Sequence, residues 1–201
     1  MNLMRGYVRV VDGMNRGIGR VMMYGLFVLM GILLWSSVSK VFFSPAMWTL
    51  EMAQFAMVAY YILGGPYSIQ MGSNVRMDLF YHDWSVKKKA AFDAFTVFFL
   101  IFYLGVLIWG AVDSFAYSLG HFRGEPFSFL GQVIHAFFSG GIDAAAEVIG
   151  RPERSPSPWR PYQWPIKLTM LVGFVLMLLQ AVSELFKDIM RLNGEDIPDV
   201  V

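Results

Sequence analysis

The sequence has no cysteine and few charged residues. None of its 201 residues is a cysteine, which excludes disulfides, thiolate metal sites, iron–sulfur clusters and thiol-based catalysis. Charged residues make up 15% of the chain, whereas an average soluble domain has about 25%. The net charge of +1 offers no bulk attraction to nucleic acid or acidic substrates, so we expect no nucleic-acid partner. The chain is instead 56% hydrophobic.

The hydrophobic residues are concentrated in four long runs, each close to the length of a helix that crosses a bilayer. An α-helix rises about 1.5 Å per residue, so a hydrocarbon core about 30 Å thick needs roughly 20 residues. The runs are continuous rather than alternating, which predicts helices and not barrel strands. We therefore expect an all-α integral membrane protein that forms a single membrane domain over residues 1–201. The predicted transmembrane helices are residues 21–43, 48–71, 92–115 and 166–186.

The positive charges between these runs predict an orientation. Four arginines precede the first run, Arg76 and Lys87–Lys89 follow the second, and Lys187 and Arg191 follow the fourth. Loops rich in lysine and arginine stay in the cytoplasm, so we expect both termini there. The first run is longer than the hydrophobic region of a secretory signal, which favours a signal anchor that is retained.

The segment between the third and fourth runs, residues 121–165, is predicted to be an outer, periplasmic loop with two parts. Apolar residues at 130, 133, 134, 137 and 138 have the spacing of an amphipathic helix, which Gly140–Gly141 is expected to interrupt. The proline-rich stretch 151–165 predicts an extended link, with Pro165 in the first turn of the next helix. Ser44–Pro45 similarly predicts the start of the second span.

Charged residues near membrane runs are candidates for function, because their burial in lipid is costly. Glu51, in the first turn of the second span, is either an acid at the membrane interface or a contact with a partner helix. Asp113 is expected to be a boundary residue at the outer end of the third span. Arg76 and Asp78 either decorate the inner surface or form a docking ridge, and Trp159 suits the headgroup region.

The sequence shows no pattern for catalysis, a cofactor or a metal. His82, His121 and His135 fall in predicted loops, whereas a membrane haem needs axial ligands inside the helix bundle. No phosphate-binding loop or nucleophile elbow is visible. No acid lies near a predicted midplane, where an ion-coupled transporter that works alone would place polar groups. We expect a protein that is not an enzyme and has no cofactor. A self-sufficient small transporter or channel and a membrane-embedded enzyme remain the alternatives.

Several motifs, in this order, resemble the small membrane subunit of tripartite ATP-independent periplasmic (TRAP) transporters, the DctQ-type or Q subunit. They are Trp48 to Glu51, Gly64–Gly65 followed by Asn74–Asp78, Glu153–Trp159 ahead of Trp164–Lys167, and Gly173 to Gln180. The resemblance covers most of the chain. Two features depart from it, because many relatives have histidine where Asn74 stands, and residues 127–149 look like an insertion.

The resemblance implies a non-catalytic scaffold subunit in the bacterial inner membrane. Its partners would be the large TRAP membrane subunit, which holds the substrate and sodium sites, a periplasmic solute-binding protein, and membrane lipid. Together they would perform sodium-driven symport of a small organic acid or a related solute. The candidate partner-interface residues are Glu51, Arg76, Asp78, Asp113 and Trp159.

Overall fold

The computed structural model describes residues 2–72, 86–122 and 124–193, and most of these residues are helical. In chain order the helices are α1 (Asn2–Met23), α2 (Gly25–Phe42), α3 (Thr49–Gln70), α4 (Val86–Ser118), α5 (Pro126–Val148) and α6 (Trp164–Leu192).

Three helical stretches in the described ranges are long and apolar enough to cross a membrane. They are Leu3–Phe42, Ala91–Ser118 and Trp164–Leu192. An all-helical membrane protein is therefore confirmed for the described residues. Four crossings are not confirmed, because α3 does not reach the same hydropathy and includes the polar residues Glu51, Gln54 and Gln70.

The arginine-rich segment before the first apolar run is a helix, α1, which crosses α6 steeply. The Tyr7 hydroxyl donates to the Leu179 carbonyl oxygen (3.1 Å), and Asn15 Nδ2 donates to Gln180 Oε1 (2.7 Å). Tyr7 and Asn15 are about 12 Å apart along the axis of α1, yet they reach adjacent residues of α6. The far end of α1 then reaches α3. The helix α1 therefore crosses α6 near its middle and then reaches the end of α3.

The chain bends after α1, and α2 then runs antiparallel to α3. Gly25, at the start of α2, faces the ring of Tyr60 near the middle of α3. Towards the other end of α2, the Thr49 hydroxyl lies 3.1 Å from the Ser36 hydroxyl. Residue numbers rise along one helix as they fall along the other, so the two helices are antiparallel neighbours. The apolar part of the stretch Leu3–Phe42 is accordingly α2.

Two close glycine contacts show that α3 and α6 run in the same direction. Gly65 of α3 faces the Met177 side chain, and Gly173 of α6 faces Ile62. A Cβ atom on Gly173 would overlap Ile62 Cγ2 and would lie 3.1 Å from the Ile62 carbonyl oxygen. The absence of a side chain at Gly173 lets the two helix backbones approach each other.

The helix α4 packs antiparallel to α6 in the most extensive contact between helices that the structure describes. Near the end of α4, the Tyr117 ring lies 5.3 Å from Lys167 Nζ at the start of α6. The loop between them returns to the same place, since the Glu153 amide donates to the Ser118 carbonyl oxygen (3.0 Å).

The helix α5 lies within the predicted outer loop and packs against the end of α4. Phe129 is buried against Ala116 and Leu119, and its ring stacks on His121 at 4.4 Å. At Gly141 the backbone is not helical (φ 74°, ψ −158°), so the helix kinks where the glycine pair predicted an interruption.

The predicted start of the second span at Ser44–Pro45 is wrong, since α3 begins four residues later, at Thr49. The Thr49 hydroxyl donates to the Ala46 carbonyl oxygen (2.8 Å) and contacts the Ser36 hydroxyl. These bonds attach the first turn of α3 to the end of α2 and leave residues 44–46 outside the helix. Pro165, in contrast, does lie in the first turn of α6.

Candidate functional site

Among the described residues, the largest group of buried and half-buried polar side chains joins α1 to the second half of α6. We call it the α1–α6 polar cluster, and it consists of Asp12, Asn15, Gln180, Ser183, Glu184 and Lys187. On α6, residues 180, 183, 184 and 187 are three or four positions apart, so they share one helix face. On α1, residues 8, 11, 12 and 15 share a face in the same way, which brings Asp12 and Asn15 against α6.

Asp12 is the centre of this cluster. Its Oδ1 accepts hydrogen bonds from Gln180 Nε2 (3.0 Å) and from the Ser183 hydroxyl (2.9 Å). Its Oδ2 lies 2.6 Å from Lys187 Nζ, and this ion pair is largely buried. Lys187 Nζ also lies 2.7 Å from Glu184 Oε1. These bonds and the ion pair connect the buried face of α1 to α6.

This arrangement joins two helices of the same chain. The cluster extends along the second half of α6, from Gln180 to Lys187, and each bond described above joins two residues of this chain. The physical role of the cluster is to fix the angle at which α1 crosses the bundle.

A second buried contact lies at the opposite end of α3, where Glu51 holds the outer loop. The Ser155 hydroxyl donates to Glu51 Oε1, and both residues are 6% exposed. The loop around Ser155 is a tight hairpin, in which the Ser155 amide donates to the Pro161 carbonyl oxygen (2.9 Å). Lys167 Nζ bonds Glu153 Oε2 at 2.6 Å and ties the same hairpin to α6. Glu51 therefore contacts its own chain across 104 residues of sequence.

We expect Glu51→Ala to loosen the outer loop at a cost of about 1–2 kcal/mol in the free energy of unfolding. The cost is modest because Glu51 Oε2 is buried without a hydrogen-bond partner in the described structure, so removing the carboxylate also removes a desolvation penalty. The measurement is the rate of tryptic cleavage after Arg154, because proline follows both Arg151 and Arg160 and blocks cleavage there. Cleavage should accelerate in Glu51→Ala.

Ser155→Ala should accelerate cleavage to a similar extent, and the double variant should be no faster than either single one. Glu147→Ala is the matched control, because Glu147 is an exposed acid on α5. Additive effects of the two single variants would mean that Glu51 and Ser155 act independently, contrary to the observed contact.

The residues predicted for a partner interface do not come together in one place. Arg76 and Asp78 lie outside the described residues. Asp113 is exposed near the end of α4, and Trp159 is 42% exposed in the proline-rich hairpin. Glu51 is turned towards the chain itself. A partner-interface role for these residues stays a prediction.

Large apolar side chains on α2 and α4 point away from the rest of the chain. Examples are Phe27, Leu34 and Trp35 on α2, and Phe98, Phe102 and Trp109 on α4. These side chains are 49–68% exposed. Because such large apolar surfaces are unfavourable in water, we expect lipid or the helices of another protein to cover them.

Sequence reasoning missed the α1–α6 polar cluster, although a signal for it was present. Asp12 is the only acid in the first 50 residues, and it lies in a segment where Val8, Val11 and Asn15 have helical spacing. The pattern predicts an amphipathic helix with one carboxylate on its buried side. The four arginines of this segment indicate a cytoplasmic tail, and that interpretation does not take account of the buried face around Asp12.

A family model described as "Tripartite ATP-independent periplasmic transporters, DctQ component" matches residues 29–191. The match begins within α2 and ends within α6, so it contains the outer loop but leaves α1 outside. A search of curated proteins and a search of solved structures gave no match. The family match confirms the resemblance that the motifs indicated.

Proposed function

Because the chain belongs to the family of DctQ components of TRAP transporters, we propose that it is a non-catalytic scaffold for a large TRAP membrane subunit. The complex would take up a small organic acid or a related solute, driven by sodium and supplied by a periplasmic binding protein. The family match over residues 29–191 carries this proposal.

Two features of the structure support a scaffold role. The α1–α6 polar cluster and the Glu51–Ser155 contact hold the chain's own helices and outer loop together. The apolar faces of α2 and α4, with Trp35 and Phe102 exposed, offer surfaces on which another set of membrane helices can pack. Rigid internal contacts combined with apolar outer faces suit a subunit that supports a moving partner.

We further propose that α2, α3, α4 and α6 all cross the bacterial inner membrane, with both termini in the cytoplasm. The helix α3 is less apolar than the others, but it packs along α2 and along α6. Its length of about 33 Å is between about 27 Å for α2 and about 44 Å for α6. A helix beside crossing helices can keep polar groups if they face protein, as Glu51 does. The positive charges that follow α3 and α6 in the sequence support a cytoplasmic position for the ends of these two helices.

Photocrosslinking of the full chain to the large subunit tests the scaffold function. A photoreactive phenylalanine analogue replaces Trp35 or Phe102, which are 49% and 68% exposed. It also replaces Phe129, which is 7% exposed, as a matched aromatic control. When both subunits are expressed together, at least one exposed position should crosslink to the large subunit, and the Phe129 position should not.

Absence of crosslinking at both exposed positions, together with failure of the two subunits to co-purify, would contradict the proposal. A second contradicting result would be collapse of a sodium gradient in liposomes that contain this chain alone, read with a sodium-sensitive dye. That outcome would favour a transporter or channel that works without a partner.

A further inference from the structure

Beside its buried face, α1 has two separate stripes, of which the arginine stripe is partly buried at Arg5 and Arg16. At 3.6 residues per turn, all four arginines of α1 fall within an arc of about 60°. A second arc of about 40° holds large apolar residues that are exposed. The arginine stripe consists of Arg5, Arg9, Arg16 and Arg20, and the apolar stripe consists of Leu3, Val10, Met14 and Val21.

The two stripes are held in fixed directions, because the third side of α1 is buried. Val8, Asp12 and Asn15 are at most 2% exposed, and the bonds of Asp12 to α6 prevent rotation of α1 about its axis. The centres of the stripes are about 130° apart around the helix. The two stripes are therefore on different sides of the helix, separated by about a third of its circumference.

We propose that α1 lies in the membrane surface and that its arginine stripe binds the phosphate groups of anionic phospholipids, while the apolar stripe enters the acyl region. A charged stripe and an apolar stripe on different sides of one helix suit the boundary between headgroups and acyl chains. Asp12 is the only acid in α1 and is buried, so the exposed charges of this helix are all positive. This charge complements an anionic headgroup and not a zwitterionic one.

The position of α1 in the fold agrees with binding to anionic phospholipid. The helix contacts the end of α3 and the second half of α6, towards the boundary where these helices would leave the bilayer. It also lies outside the residues that match the DctQ family. Lipid binding by α1 is therefore independent of the scaffold function proposed above, and each can fail without the other.

Binding of labelled lipid to the full chain in neutral detergent micelles tests the proposal. The probes are dye-labelled phosphatidylglycerol and phosphatidylcholine with the same dye. The chain should bind phosphatidylglycerol more tightly, and added salt should weaken this binding. Arg9 and Arg20 are the exposed members of the stripe. Arg9→Gln combined with Arg20→Gln should weaken phosphatidylglycerol binding by about 30-fold at low salt, and should leave phosphatidylcholine binding unchanged.

Three controls test whether binding depends on the position of the cations, on their charge and on the acyl chain of the lipid. Lys40→Gln removes an exposed cation at the far end of α2 and should change nothing. Arg9→Lys combined with Arg20→Lys keeps the charge and should retain most of the binding. Millimolar inorganic phosphate should not compete, because it has no acyl chain. Equal affinity for the two lipids, full competition by phosphate, or unchanged binding in the double glutamine variant would each overturn the proposal.

Discussion

Lys187→Met is expected to lower the free energy of unfolding by about 3–5 kcal/mol. Lys187 Nζ lies 2.6 Å from Asp12 Oδ2 and 2.7 Å from Glu184 Oε1, and the lysine side chain is only 10% exposed. Methionine fills a similar space but leaves both carboxylates without this cation. A buried charge that loses its partner keeps its desolvation cost and loses the attraction that offset it. Denaturant titration in detergent micelles measures the loss.

Thiol labelling shows whether this loss releases α1 in particular. The chain has no cysteine, so Val8→Cys introduces a unique thiol at a position that is 0% exposed. If Lys187→Met detaches α1, a water-soluble maleimide should label this thiol faster by about 100-fold, as expected from a change of roughly 3 kcal/mol in the opening equilibrium.

Two further variants are needed to interpret the result. Lys40→Met removes an exposed lysine and should change the stability by less than about 0.5 kcal/mol. Asp12→Leu combined with Lys187→Met replaces the ion pair with apolar side chains and should cost less than Lys187→Met alone. A cost below about 1 kcal/mol for Lys187→Met, with unchanged labelling, would mean that the ion pair does not hold α1.

The sequence predicted those parts of the fold that depend on local composition. The continuous apolar runs of α2, α4 and α6 identify membrane helices, because lipid requires each backbone to satisfy its own hydrogen bonds. The Gly140–Gly141 pair predicted the kink in α5, since a backbone with positive φ at Gly141 is accessible to glycine. The crossing direction of α1 was not predictable in this way, because it depends on contacts between Asp12 and residues about 170 positions away.

The candidate site illustrates the same limit. Glu51 was identified because a carboxylate at the start of an apolar run is unusual, and the structure places it in a buried contact. Its partner Ser155 lies in a proline-rich link whose register has no periodic signal. The turn in that link depends on Arg160, which has a positive φ of 52° although it is not glycine. Tertiary contacts stabilise that conformation, so composition alone did not predict where Ser155 would lie.

Gly173→Ala is expected to separate α3 from α6 slightly and to cost about 1–3 kcal/mol. The new methyl group would overlap Ile62 Cγ2 and press on the Ile62 carbonyl oxygen, 3.1 Å away. Isoleucine is branched at Cβ and rigid in a helix, so its side chain cannot rotate out of the way without leaving its preferred rotamer. The measurement is denaturant titration in micelles, as for Lys187→Met.

A compensating variant tests whether this single overlap is the cause. Leucine has no Cγ2 branch at Cβ, so Ile62→Leu should restore most of the stability lost in Gly173→Ala while costing less than about 1.5 kcal/mol alone. Gly105→Ala is the matched control on α4, where a Cβ atom meets nothing within 4 Å. It should be neutral or stabilising by up to about 1 kcal/mol, since alanine favours a helix more than glycine. If Gly173→Ala behaved like Gly105→Ala, the close approach of α3 to α6 would not require glycine, and the parallel packing of these helices would depend on other contacts.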